Sequence, residues 1–99
     1  MSKEYSEEDA RLFFLKHIHN LINYWLNEDK AKTTKDKMEG LAFSILSTLD
    51  GEVGNMPSYQ LKPFNSKEDI EYLKKNGEDY YPENGIDIAG CLHEFFYKI

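Results

Sequence analysis

The apolar residues near the N-terminus recur with the period of an α-helix. Ser6 precedes three acidic residues, which is typical of a serine N-cap with carboxylates in the first turn and a loose capping box. The apolar residues that follow lie on one wide arc at about 100° per residue: Phe14, Leu15, Ile18, Leu21, Ile22, Trp25 and Leu26. The pattern predicts a first helix at about residues 7–27.

A second helix is predicted from Lys35 to Leu49, ending where Gly51 suits the left-handed position that follows a helix. Its apolar face is formed by Met38, Leu41, Ala42, Ile45, Leu46 and Leu49. Its opposite side carries three small residues, Gly40, Ser44 and Ser47. Because small side chains let a neighbouring backbone come close, we expect this helix at the centre of the fold.

Two further helices are predicted in the second half of the chain. A helix is predicted at about residues 67–76. Ser66 is suited to its N-cap, acidic residues follow in the first turn, lysines lie in the last turn, and Gly77 comes after the end. Asp87 is typical of an N-cap, and it predicts a last helix over residues 88–98. We expect the buried stripe of that helix to contain Ile88, Cys91, Leu92, Phe95 and Ile99.

Residues 58–62 and 85–88 are the remaining candidates for extended structure, and Pro63 closes the first of them. The predicted fold class is therefore mainly α. We expect a compact helical domain of about four helices, with at most a minor two-stranded β element. The sequence shows neither an internal repeat nor a low-complexity tract, so a single domain over residues 1–99 is predicted.

Acidic residues are concentrated in the second half of the chain. The net charge is −6, with seven basic and eight acidic residues in 1–49 against five and ten in 50–99. This excess disfavours direct binding of nucleic acid. It fits solubility, attraction of a basic protein partner, or mimicry of nucleic acid. The acids that would form a mimicking face are Glu68, Asp69, Glu71, Glu78, Asp79 and Glu83.

The sequence offers no sign of membrane insertion or secretion. No apolar run approaches the roughly 18 residues of a membrane span. The residues after Met1 lack the apolar segment of a secretory signal. Cys91 is the single cysteine, so no internal disulfide forms, as fits a reducing compartment. We expect a cytoplasmic protein without membrane contact.

Motifs for phosphate binding, dinucleotide binding, a nucleophile elbow and a zinc protease are absent from the sequence. His17 and His19 are two residues apart, or about 200° around a helix, so they do not face one ion together. We therefore predict no metal site and no cofactor.

Four residues are candidates for acid–base catalysis, and Asp50 and Asp87 of these lie at predicted helix ends: Asp50, Asp87, His93 and Glu94. Such groups transfer protons when a cleft shifts their pKa toward the working pH. Two of them also have a structural interpretation, since Asp87 suits a helix cap and Asp50 precedes a turn glycine. No residue is therefore assigned as catalytic, and Cys91 is assigned to the core.

A second stripe on the first helix lies away from the main apolar arc. It consists of Phe13, His17, Asn20 and Tyr24, which recur at helical spacing. Aromatic rings beside polar groups resemble the anchors of a protein interface. The stripe predicts either a partner-binding surface, including a homodimer interface, or a second buried face within the monomer.

Three segments carry a resemblance to known proteins: Gly40–Gly51, Tyr81–Asn84 and Asp87–Phe96. Residues 38–97 thereby resemble a group of small uncharacterised bacterial and mobile-element proteins. The resemblance implies a bacterial or phage origin and no particular mechanism.

The sequence favours a small, acidic, non-enzymatic binding protein that acts through a protein interface, of the immunity, antidefence or regulatory type. One alternative is a small hydrolase or metal-assisted enzyme that uses His93 with Asp50, Asp87 or Glu94. A second alternative is a nucleic-acid mimic.

Overall fold

The computed structural model describes residues 2–99. The helices are α1 (Glu7–Leu26), α2 (Thr34–Leu49), α3 (Lys67–Lys75) and α4 (Leu92–Phe95), followed by a 3-10 turn at Phe96–Lys98. The described part of the chain is 53% helical and contains no strand, which confirms the mainly α class. Two structural units are present, one running to Ile45 and the other covering Leu46–Ile99. The single domain stays a prediction.

The start of α1 is stabilised by a reciprocal capping box, as the sequence predicts. The Asp9 amide donates to Ser6 Oγ at 3.1 Å, and the Ser6 amide donates to Asp9 Oδ2 at 3.2 Å. Lys3 Nζ lies 3.1 Å from the same carboxylate oxygen. These contacts satisfy amides that a helix start leaves without an intrahelical acceptor. The hydrogen bonds to Lys3 and to the Ser6 amide lower the pKa of Asp9 below its ordinary value.

The ring of Trp25, the single tryptophan of the sequence, packs against small residues of α2. The Trp25 indole donates its Nε1–H to Ser44 Oγ at 2.8 Å. A Cβ atom at Gly40 would lie 2.5–2.6 Å from three carbons of the Trp25 ring, so only glycine fits beneath it. The small face of α2 therefore accommodates an aromatic side chain of α1, whereas the sequence predicts the close approach of a neighbouring backbone.

The apolar arc predicted for α1 is divided in the structure. Phe14, Ile18, Leu21 and Trp25 are half-buried, whereas Leu15, Ile22 and Leu26 are 41–64% exposed. No residue of α1 is fully buried. The first unit therefore covers only the narrow stripe of the predicted arc that includes Trp25.

Few residues of the described chain are removed from solvent. Within residues 2–99, only Ala31, Gly40 and Thr48 are buried, and Thr48 has no exposed surface. Many large apolar side chains stay in contact with water. For a chain of 99 residues this leaves little apolar burial to offset the conformational entropy lost on folding.

In the second unit, two segments run side by side without forming regular strands. The Ile88 amide donates to the Leu61 carbonyl at 2.8 Å, and the Ile86 amide donates to the Pro63 carbonyl at 3.3 Å. The minor β element is thus reduced to paired extended segments. α3 begins as predicted, because Ser66 Oγ accepts the Asp69 amide at 3.1 Å.

The last helix differs from its prediction in length, in its cap and in its buried stripe. It begins at Leu92 rather than at residue 88, since residues 89 and 90 form a turn and Gly90 has a φ of +121°. Asp87 does not cap it, because Asp87 Oδ1 accepts the amides of Leu61 (2.9 Å) and Ala89 (3.0 Å). Cys91, assigned to the core from the sequence, is exposed.

Replacing Gly40 with alanine tests the packing of the Trp25 ring against α2. The added methyl group displaces the indole, which costs about 1–3 kcal/mol of overpacking against about 1 kcal/mol gained in helix propensity. We expect G40A to shift Trp25 fluorescence and to lower the free energy of unfolding by about 1 kcal/mol. Gly54→Ala is the control, because nothing lies within 4 Å of a Cβ there. An unchanged emission spectrum in G40A would contradict the described packing.

Candidate functional site

The structure brings together two of the four candidate acid–base residues. Asp50 follows α2, and its side chain has no exposed surface. Its Oδ2 lies 2.5 Å from His93 Nδ1 and accepts the His93 amide at 2.8 Å, while its Oδ1 accepts the Gly90 amide at 2.6 Å. The His93 side chain is 18% exposed. A carboxylate 40 residues away in sequence thus organises the start of α4.

The environment of Asp50 holds it in its charged form. Burial by itself would raise the pKa of its carboxyl group. The hydrogen bonds from the backbone and ring of His93 and from the Gly90 and Leu92 amides outweigh burial and lower the pKa to about 2. An ionised carboxylate only accepts hydrogen bonds, so the proton between the two side chains belongs to His93 Nδ1.

Asp87 and Glu94 have no part in this cluster. The amides of Leu61 and Ala89 lower the pKa of Asp87, so this residue joins two backbone segments. The side chain of Glu94 is exposed. Across residues 2–99, no three histidine, cysteine, aspartate or glutamate side chains are placed to hold a metal ion. The cluster is therefore an oriented Asp–His pair that also fixes backbone amides.

The stripe of Phe13, His17, Asn20 and Tyr24 is mostly open to solvent. Phe13 is 42% exposed and packs edge-to-face on Tyr5, with ring centroids 5.1 Å apart. Tyr24 is 56% exposed and packs edge-to-face on Trp25 at 5.2 Å. Its hydroxyl is hydrogen-bonded to Glu28, which raises the pKa of the phenol. Asn20 is exposed and His17 is half-buried.

An open groove between α1 and α2 was not predicted from the sequence. It has a volume of about 520 Å³ and lies within the first unit. We call it the α1–α2 groove; it is lined by Ile22, Trp25, Leu26, Lys32, Thr33, Thr34, Lys37, Met38 and Leu41. Helical periodicity places its apolar members on the predicted apolar faces of α1 and α2. Periodicity identifies an apolar face but does not say whether another part of the chain covers it.

A second feature missed from the sequence leads into this groove. The side chains Leu12, Leu15, His19, Ile22 and Leu26 form a line on the solvent side of α1, which we call the exposed seam. Their spacings alternate between three and four residues. This is the heptad spacing with which one helix contacts another. Its four apolar members are 41–64% exposed. Ile22 and Leu26 belong to both the seam and the groove.

The six acids proposed for a nucleic-acid-mimicking face, Glu68, Asp69, Glu71, Glu78, Asp79 and Glu83, are all exposed. Exposure of these groups serves solubility as well as mimicry, so it favours neither. Of the helices formed by residues 2–99, none combines the length and the apolar character needed to span a bilayer.

Comparison of the chain with protein-family models, with curated proteins and with solved structures finds no match. The resemblance to small bacterial and mobile-element proteins stays a prediction.

The Asp50 cluster predicts a loss of stability in acid. The pKa of the Asp50 carboxyl group is lower in the folded state than its ordinary value of 3.8. The contribution of this group to the free energy of unfolding is therefore complete above pH 3.8 and disappears as the pH falls toward about 2. A shift of this size corresponds to about 2 kcal/mol. Urea denaturation followed by circular dichroism between pH 6 and pH 2 measures this loss.

Asp50→Asn is the informative variant for this measurement. We expect D50N to be less stable by about 2 kcal/mol at pH 6 and to show a flatter profile below pH 4. Asp79→Asn is the matched control, because Asp79 is exposed. A D50N profile with the acid slope of the wild type would show that the carboxylate does not hold the chain in this way.

Proposed function

We propose that this protein is a non-enzymatic binding module, and that the exposed seam and the α1–α2 groove receive an amphipathic helix of a partner protein. The carrying observation is the seam itself, an apolar line at heptad spacing on a solvent-exposed helix face. Immunity, antidefence and regulatory proteins are the classes that such a small module fits.

The energetics of the seam favour coverage by a partner. Burying a leucine or isoleucine side chain contributes about 1.5–3 kcal/mol relative to leaving it exposed. Leu12, Leu15, Ile22 and Leu26 retain between 41% and 64% of their surface in water. Large exposed apolar surfaces on soluble proteins commonly mark interaction sites. A helix laid along the seam would bury all four side chains at once.

The shape of the first unit supports a helical partner. The seam spans four turns of α1, and the groove widens its C-terminal end with Met38 and Leu41 of α2. Helix-in-groove recognition uses apolar anchors at spacings of three, four and seven residues. Trp25 lines the groove, and its ring is in edge-to-face contact with the ring of Tyr24. Aromatic side chains are enriched among the residues that dominate binding energy.

Selection from a random peptide display library tests this function. We expect the enriched peptides to carry apolar residues at helical spacing and to lose at least ten-fold in affinity for the double variant Leu15→Ser/Leu26→Ser. Leu61→Ser/Ile86→Ser is the matched control, because both residues are exposed apolar side chains in the second unit. Peptides that bind all three proteins equally would place recognition outside the seam.

The Asp50–His93 pair favours a second candidate function, hydrolysis. The ionised Asp50 carboxylate lies 2.5 Å from His93 Nδ1, an arrangement that orients a histidine ring for general-base catalysis. This function predicts that hydrolysis of p-nitrophenyl acetate exceeds the rate of free imidazole and is lost in His93→Gln. A binding module predicts the same background rate in wild type and H93Q. The assay therefore separates the two functions.

A further inference from the structure

We propose that the helix received by the exposed seam is acidic, carrying carboxylates on both sides of its apolar stripe. This inference rests on the proposed helix-binding function and specifies the chemistry of the partner. It follows from the charges that border the seam and the groove.

The surface around the seam is cationic although the whole chain is acidic. The net charge of the protein is −6, yet residues 10–26 contain no carboxylate. Lys16 lies one position beyond Leu15, on the flank of the seam, and is exposed. The charged residues that line the groove are Lys32 and Lys37. Lysines therefore border both the middle of the seam and its groove end.

One of these lysines is fixed in place by the end of α1. Lys37 Nζ donates to the Leu26 carbonyl at 2.6 Å. The C-terminal carbonyls of a helix attract a cation, so the ammonium group is held at the groove. One hydrogen bond leaves an ammonium group further donors. A carboxylate on a bound helix could therefore pair with the Lys37 ammonium group at the groove end of the seam.

Four of the eight acids in the first unit are engaged with other groups of this chain. Glu7 lies 3.4 Å from Arg11, and Asp9 lies 3.1 Å from Lys3. Glu28 accepts the Lys30 amide at 3.1 Å and is hydrogen-bonded to Tyr24. Glu39 lies 3.7 Å from Lys35. The other four acids of the first unit are exposed and lie before or at the start of α1, just after its end, or at the start of α2: Glu4, Glu8, Asp29 and Asp36. The central and groove parts of the seam thus present positive charge.

The same charges disfavour a second copy of α1 as the occupant. Pairing two copies of this helix would bring together two stretches that contain basic residues and no carboxylate. Charged residues flanking a heptad seam decide which helices pair, and like charges there are repulsive. His19 interrupts the apolar line near its middle, and a single polar residue at such a position specifies the register of the partner.

Two synthetic three-heptad peptides test the charge of the partner. Both peptides carry leucine at the two apolar positions of each heptad. The positions that flank this apolar stripe are glutamate in one peptide and lysine in the other. Binding is measured by Trp25 fluorescence and by calorimetry at 50 and 500 mM salt. We expect the glutamate peptide to bind at least ten-fold more tightly at low salt. The preference shrinks at high salt, because screening weakens exposed charge pairs.

Charge-reversal variants show whether the seam lysines cause the preference. We expect Lys16→Glu/Lys32→Glu to abolish it. Lys67→Glu/Lys75→Glu is the control, because it changes the net charge equally on exposed residues of α3 and should retain the preference. Loss of the preference in both double variants would attribute it to overall charge and overturn the assignment to the seam.

The remaining outcomes separate this inference from the function on which it rests. If both peptides bind with equal affinity and Leu15→Ser/Leu26→Ser removes this binding, helix binding by the seam is supported. The proposal that the partner helix is acidic is then overturned. Binding of neither peptide, with no seam-dependent peptide from the display selection, overturns both. A dimeric solution mass that becomes monomeric in Leu15→Ser/Leu26→Ser identifies a second copy as the occupant and overturns the acidic partner.

Discussion

The first unit depends on the contact of one indole ring with one glycine and one serine. Trp25 lies over Gly40 and donates its N–H to Ser44, so the ring meets α2 through both packing and a hydrogen bond. Because the indole is placed in this way, the half-buried stripe of α1 is the one that contains Trp25. The other apolar positions of the helix are left in water, and they include the surface that we propose for partner binding.

In the second unit, the buried carboxylate of Asp50 joins distant parts of the chain, as Trp25 joins two helices in the first. Asp50 accepts hydrogen bonds from amides at the start of α4 and from the ring of His93. A short terminal helix has few internal hydrogen bonds, so such contacts are a large part of what holds it. The residues that most resemble a catalytic pair therefore stabilise the start of the last helix. This structural role is the reason that we place recognition, rather than chemistry, first.

Local signals in the sequence were sufficient for much of the fold. Ser6 and Ser66 each cap a helix through an amide three residues away, and both helices begin where those serines predict. The small size of Gly40 and Ser44 indicated a neighbour on this side of α2, but the neighbour is the Trp25 side chain and not a backbone. The Asp50 cluster could not be predicted in this way, because its partners are 40 and 43 residues distant. Asp87 likewise bonds to Leu61, 26 residues away, and no short-range pattern shows such a contact.

Cys91 and Trp25 have a joint consequence for experiments. Each is the single residue of its type, Cys91 is exposed, and the two belong to different structural units. A thiol-reactive acceptor dye on the cysteine would form an energy-transfer pair with the native indole, without any engineered position. The unaltered polypeptide thus carries its own spectroscopic ruler between the two units, and the ruler can be read while a ligand is titrated in.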